Sequence, residues 1–248
     1  MGIMNAPMML AASSGDDVDF MVHGLIPLKF FGHKVWITTT HVTTLIVMVF
    51  IIVLALIARH AVLHGDEKPS GLQNFVEMIV EMLDNLVKGS MGRHWRPFVN
   101  YIGTIMVFIF FANTSGLFGL RPPTADYGTT LALALITFFM IRFNKAKHQS
   151  AKDIWTGMCS PLPPWLPIWA PINIISEIAI PISLSLRLFA NVLSGTVIMA
   201  LVYGLLRFIA IAWPSVLHVY FDLFSGAIQT YVFCMLTMTY ISQNYEQE

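Results

Sequence analysis

The sequence predicts an all-α integral membrane protein: five membrane-spanning helices and one amphipathic interfacial helix. Three observations carry this. The chain of 248 residues is 56% hydrophobic and only 11% charged, with a mean hydropathy of +0.69, too apolar for a soluble domain. Its apolar residues gather into five stretches near the roughly 20 residues that cross a hydrocarbon core about 30 Å thick. Between the first two, polar residues recur at helical spacing through an apolar background.

The elements follow in order. Residues 1–35 read as an extracytoplasmic tail; MGIMNAPMMLAASSGDD has a short apolar patch with no basic region ahead of it, unlike a cleaved signal. The first span is 36–58, the second 99–120, and the third 125–143, most apolar from Thr129 onward. In 70–90, PSGLQNFVEMIVEMLDNLVKG places Gln73, Asn74, Glu77, Glu81, Asp84, Asn85 and Lys88 along an amphipathic helix, with Ser70 positioned as its cap. Those charges exclude a span, so this helix belongs at the interface or against a neighbour. The fourth and fifth spans, 171–203 and 208–241, are longer. A helix of about 32 residues measures about 48 Å and overshoots a perpendicular crossing, so both are expected to tilt or bend, with Pro181 and Pro214 as bend points. The whole of 1–248 forms one polytopic domain without internal repeats.

Basic residues near span ends set the orientation. Arg59, Lys68, Lys88, Arg93, Arg96, Arg142, Lys145, Lys147 and Lys152 fall on one side, and Lys29, Lys34, Arg121 and Arg207 on the other. The richer side is cytoplasmic, which puts the N-terminus outside and the C-terminus inside.

Net charge is zero, and no basic run is dense enough for nucleic acid, so lipid and other membrane subunits are the expected partners. Cys159 and Cys234 form no disulfide or zinc pattern. His60 and His64 have i, i+4 spacing, which beside Arg59 suits an interfacial pair better than a metal site. No motif for nucleotide hydrolysis or proteolysis occurs. The expectation is a chain with no catalytic site, metal or cofactor of its own.

The chemistry lies in polar residues inside the spans. Arg187 sits in PISLSLRLFANVLSG, residues 181–195. An arginine at mid-membrane costs at least about 2.5 to 3.5 kcal/mol and cannot shed its proton, so it needs a carboxylate or water. Ser176, Ser183, Asn191 and Ser194 fall within about 40° of it around an α-helix, with Ala190 nearby, leaving room for another helix to approach. On the fifth span His218, Asp222, Ser225 and Gln229 follow at i, i+4, i+7 and i+11, one face of a regular helix, and a membrane carboxylate one turn from a histidine suits a proton path. Glu177 is a further candidate near the cytoplasmic end.

Taken together, PISLSLRLFANVLSG and the later FDLFSGAIQTYVFCMLTMTYIS resemble subunit a of the rotary F-type ATP synthase, as do KPSGLQNFVEMIVEML and FFANTSGLFGL. The resemblance covers nearly the whole chain. It implies a stator channel in a bacterial plasma (inner) membrane, its last two helices a tilted hairpin against a ring of c subunits. It implies b-type peripheral stalk subunits and other ATP synthase subunits as further partners. Two offset half-channels would pass ions to and from the ring's carboxylates. Arg187 matches the family's essential arginine, Asn191 the asparagine after it and Gln229 the polar partner on the last helix. The chain departs from the family at Ala190, where glycine is common, at Thr196, where some members carry glutamate, and at Asp222, where histidine or glutamate is frequent. A secondary ion-coupled transporter is the alternative, but it would show inverted repeats. A haem electron carrier would need histidine pairs deep in the spans, and only His41 and His218 lie in spans at all.

Overall fold

The computed structural model describes residues 24–30, 33–63, 71–148, 170–205 and 213–243. Five described helices are long and apolar enough to cross a membrane, and among the described residues every span is helical. Ahead of it stands a feature absent from the sequence reading: strands β1 (Gly24–Phe30) and β2 (His33–Thr38) pair antiparallel, Phe30 opposite His33 and Gly24 opposite Thr38. Trp36, Ile37 and Thr38 therefore close a hairpin instead of opening the first span. Helix α1 begins at Thr39 and ends at Leu63. The isoleucine, valine and threonine in this stretch favour extended backbone as readily as helix.

Helix α2 spans Gly71–Met91; its expected cap Ser70, like His64, lies outside the described residues. It packs on the neighbouring spans through its second half, where Val87 is wholly buried, while Phe75, Met78 and Met82 stay exposed. Helix α3 covers Val99–Thr114 and continues through a 3-10 turn, Ser115–Phe118, to Gly119. Gly119 has φ 70, a left-handed conformation that reverses the chain and suits glycine because it lacks Cβ. A second 3-10 turn, Pro123–Ala125, leads into α4, Tyr127–His148.

Helix α5 runs unbroken from Ala170 to Leu205, through Pro181. At 36 residues it is about 54 Å long, well over the hydrocarbon thickness. The last span comprises α6 (Trp213–His218), a π-helical segment (Val219–Ser225) and α7 (Gly226–Ser242). Its first expected residues, 208–212, lie outside the described ones. The core sits where α2, α3, α5 and α7 meet, around Val87, Ile102, Ile109, Leu188, Phe233 and Met238. Helix α4 lies along α5, tied to α3 by the 2.9 Å hydrogen bond between Tyr101 and Thr137. Close van der Waals packing and such interhelical bonds hold helices together where lipid offers no hydrophobic drive.

Candidate functional site in the last two spans

Three contacts fix how α5 and the last span lie together: Tyr203 with His218, Gly195 with Phe221, and Asn191 with Ser225. As one number falls the other rises, so the two run antiparallel. Arg187 and Gln229 are each about four residues, or about 6 Å, beyond the Asn191–Ser225 contact, which gives them similar depth.

Arg187 occupies the middle of α5 and is exposed. It has no hydrogen bond, ion pair or ring contact with any described residue. Ser176, Ser183, Ala190 and Ser194 are exposed with it, so the small-residue stripe faces away from the rest of the chain, while Leu184 and Leu188 on the other side are buried. Asn191 is half-buried at the edge of this stripe, its Oδ1 accepting from the Ser225 hydroxyl at 3.1 Å.

Asp222, His218 and Tyr203 form a connected chain. His218 Nδ1 is 3.0 Å from Asp222 Oδ2, and Nε2 is 3.1 Å from the Tyr203 hydroxyl. With Nδ1–H donating to the carboxylate, Nε2 is left to accept from the phenol. Gly116, at the end of the second span, leaves room for this carboxylate: a Cβ there would stand 3.0 Å from Asp222 Cγ.

Glu177 is engaged elsewhere. Its carboxylate pairs with the Arg142 guanidinium of α4, and Arg142 also lies over the Phe138 ring, 5.2 Å from its centroid.

The expected stripe of four on the last span does not survive the fold intact. His218 and Asp222 meet as predicted, and Ser225 reaches Asn191, but Gln229 is 7% exposed, with its Nε2 lacking a hydrogen-bond partner. The pattern i, i+4, i+7, i+11 assumes one continuous α-helix. A π turn takes in about one residue more than an α turn, so positions beyond it are rotated by about 100° from where an unbroken helix would put them.

Tyr203, Arg142 and Gly116 carry no mark in the sequence that singles them out. Gly116 and Asn113 fall within FFANTSGLFGL, noted above only for its resemblance.

The pattern of the family described as ATP synthase A chain matches residues 41–242. The chain belongs to that family. A sodium ion specific ATP synthase subunit a of Propionigenium modestum is 34% identical over 221 residues, 83% of this chain and 73% of that protein. An ATP synthase subunit a of a Sulfurihydrogenibium species is 35% identical over 175 residues, 70% of this chain and 82% of the relative. Another, of Trichlorobacter lovleyi, is 32% identical over 236 residues, 92% of this chain and 99% of its own length. Membership makes the chain a membrane component of the ATP synthase that translocates ions, with other subunits of that complex as its partners.

Proposed function

We propose that the chain is the stator half of the ion path, sitting in a bacterial plasma membrane with its N-terminus outside and its C-terminus cytoplasmic. The exposed face of α5 around Arg187 lies against a c-ring, whose carboxylates come past one at a time; b-type stalk subunits hold it still. The carrying observation is an arginine in mid-span that is exposed and has no partner among the described residues. Such a charge is too costly in lipid to be left so.

The chemistry follows from electrostatics. At about 4 Å and an effective dielectric near 20, a guanidinium stabilises a carboxylate by about 4 kcal/mol, or about three pKa units. That is enough to oppose the desolvation that keeps a membrane carboxylic acid protonated. A protonated rotor site nearing Arg187 therefore gives up its proton, and the arginine itself never carries one.

Ions enter from outside through Tyr203, His218 and Asp222. Neutral His218 takes a proton at one ring nitrogen and releases the other to Asp222, because imidazole offers an acceptor and a donor nitrogen at once. Ser225 and Asn191 pass the path on toward the rotor face, with Gln229 at the depth of Arg187. The inward path follows Ser183 and Ser176 along the open stripe. Glu177, bound to Arg142, ties α4 to α5 and does not carry ions. The membrane potential, about 2.3 kcal/mol per charge per 100 mV, biases the direction of rotation.

Arg187→Ala, assayed in vesicles holding the whole complex, tests this reading. ATP synthesis is expected to be lost while the chain remains in the membrane at its usual level, because the exposed side chain makes no hydrogen bond or ion pair with the described residues. Normal synthesis would refute it. Copurification of a ring of small two-helix subunits separates the reading from a secondary transporter.

A further inference from the structure

The π-helical segment calls for a cause. A π turn is less favourable than an α turn and occurs mostly as single-turn insertions, frequently at functional sites. Nothing in VYFDLFS selects it by composition. The contacts that the second span makes at the segment's middle and just past its C-terminal end do.

At its C-terminal end Gly226 packs directly on the second span: a Cβ there would fall 2.9 Å from Asn113 Cβ, closer than any side chain permits without movement. The Gly226 carbonyl accepts from the Asn113 amide Nδ2 at 3.3 Å and from the Thr230 hydroxyl at 2.8 Å. Asn113 is itself held: its Oδ1 accepts from Thr124 Oγ1 at 2.7 Å, which turns the NH2 toward Gly226. Asn113 and Thr124 are 3% and 0% exposed, so neither bond competes with water. One turn earlier, Gly116 provides the gap for the Asp222 carboxylate. The end of the second span thus grips the last span at Gly226 and receives it at Asp222.

We infer that Asn113, fixed by Thr124, is a positioning residue that holds the last span in its π-helical register by gripping Gly226, and so aims Asp222 at His218 while Ser225 reaches Asn191. Relaxing the segment to α-helix would rotate one set of these groups against the other by about 100°. The hydrogen bonds made by Asp222 and Ser225 within the π segment, and the grip on Gly226 just past it, would not all survive. The register claim stands on geometry alone; its consequence for ion movement rests on the role proposed for Asp222. Among the described residues, the titratable groups hydrogen-bonded around Asp222 are His218 on the same span and, through it, Tyr203 of α5; the second span brings Gly116 against the carboxylate.

The test uses the whole complex in membranes. Asn113→Asp keeps the shape and the acceptor for Thr124 but removes the donor to Gly226. In that background the oxidative crosslinking rate of an Asn191→Cys/Ser225→Cys pair is expected to fall about tenfold, the effect of losing one buried hydrogen bond. A Tyr101→Cys/Thr137→Cys pair, reporting on the α3–α4 contact, should link as before. With native residues at those positions, the pH profile of ATP-driven ion pumping should shift, because Asp222 and His218 no longer meet in the same geometry. Asn113→Leu is the second variant and should act in the same direction. Unchanged crosslinking at 191 and 225 overturns the inference. So does loss of both pairs together, which would make the amide a general packing contact. Reduced crosslinking with an unchanged pH profile would uphold the register and remove Asp222 from the path.

Discussion

Arg142 of the third span and Arg187 of the fourth are treated differently by the chain. Arg142 on α4 pairs with Glu177 and rests on Phe138. Arg187 on α5 forms no hydrogen bond, ion pair or ring contact with the described residues and is exposed among small side chains. Both carry a charge that lipid would penalise. Arg142 is provided for by its own fold, which marks it as structural. Arg187 would be provided for if another subunit brings the anion, which is the basis of the role proposed for it. The lesson is that a membrane charge is interpreted by where its partner resides.

The largest effect that can break this contrast is at Arg187 itself. Arg187→Lys keeps a positive charge but replaces a planar, always-protonated fork with a point charge that can lose its proton when desolvated. Proton-driven ATP synthesis in membrane vesicles should fall at least about 100-fold, the scale of removing a preorganised electrostatic group. Wild-type rates would show that any cation suffices there.

Asp222→Asn should have a smaller effect, about tenfold on ATP-driven pumping, because His218 and Tyr203 still offer a partial relay. ATP hydrolysis by the detached catalytic head should be unaffected. Initial pumping rates across pH 6 to 9 check this, and an unaltered profile would make Asp222 a structural acceptor.

The smallest effect on turnover belongs to the paired arginine. Arg142→Ala leaves Glu177 without its cation and should lower the amount of chain in the membrane several-fold. Adding Glu177→Gln should restore much of that amount, and synthesis per assembled complex should stay close to wild type in both. Quantitative immunoblots alongside synthesis rates measure the two separately. A loss of turnover per complex would place Glu177 in the ion path.

These distinctions were unequally legible in the sequence. Five spans could be read because bilayer thickness dictates their length, and the face of α5 could be read because Ser176, Ser183, Arg187 and Ser194 keep the 3.6-residue period on a helix that runs unbroken. The last span misled the same arithmetic, since the π segment depends on Asn113 and Gly116 of another helix, and local periodicity carries no trace of such contacts. The Arg142–Glu177 pair was hidden for a similar reason: its members are far apart in sequence and meet only because α4 lies along α5. The hairpin was missed because GLIPLKF and HKVWIT are short, and Pro27 within the first run argues against a strand.

The open face around Arg187 is expected to be covered by a partner's carboxylate-bearing helix. Ser183 and Ala190 are exposed about one turn to either side of Arg187, and disulfide capture tests the claim most directly. Ser183→Cys or Ala190→Cys, combined with a cysteine one turn from the rotor carboxylate, should give a crosslinked product in the intact complex. A cysteine at Val49, on the exposed side of α1, should give none. A product at Val49 and none at either position beside Arg187 would contradict the account.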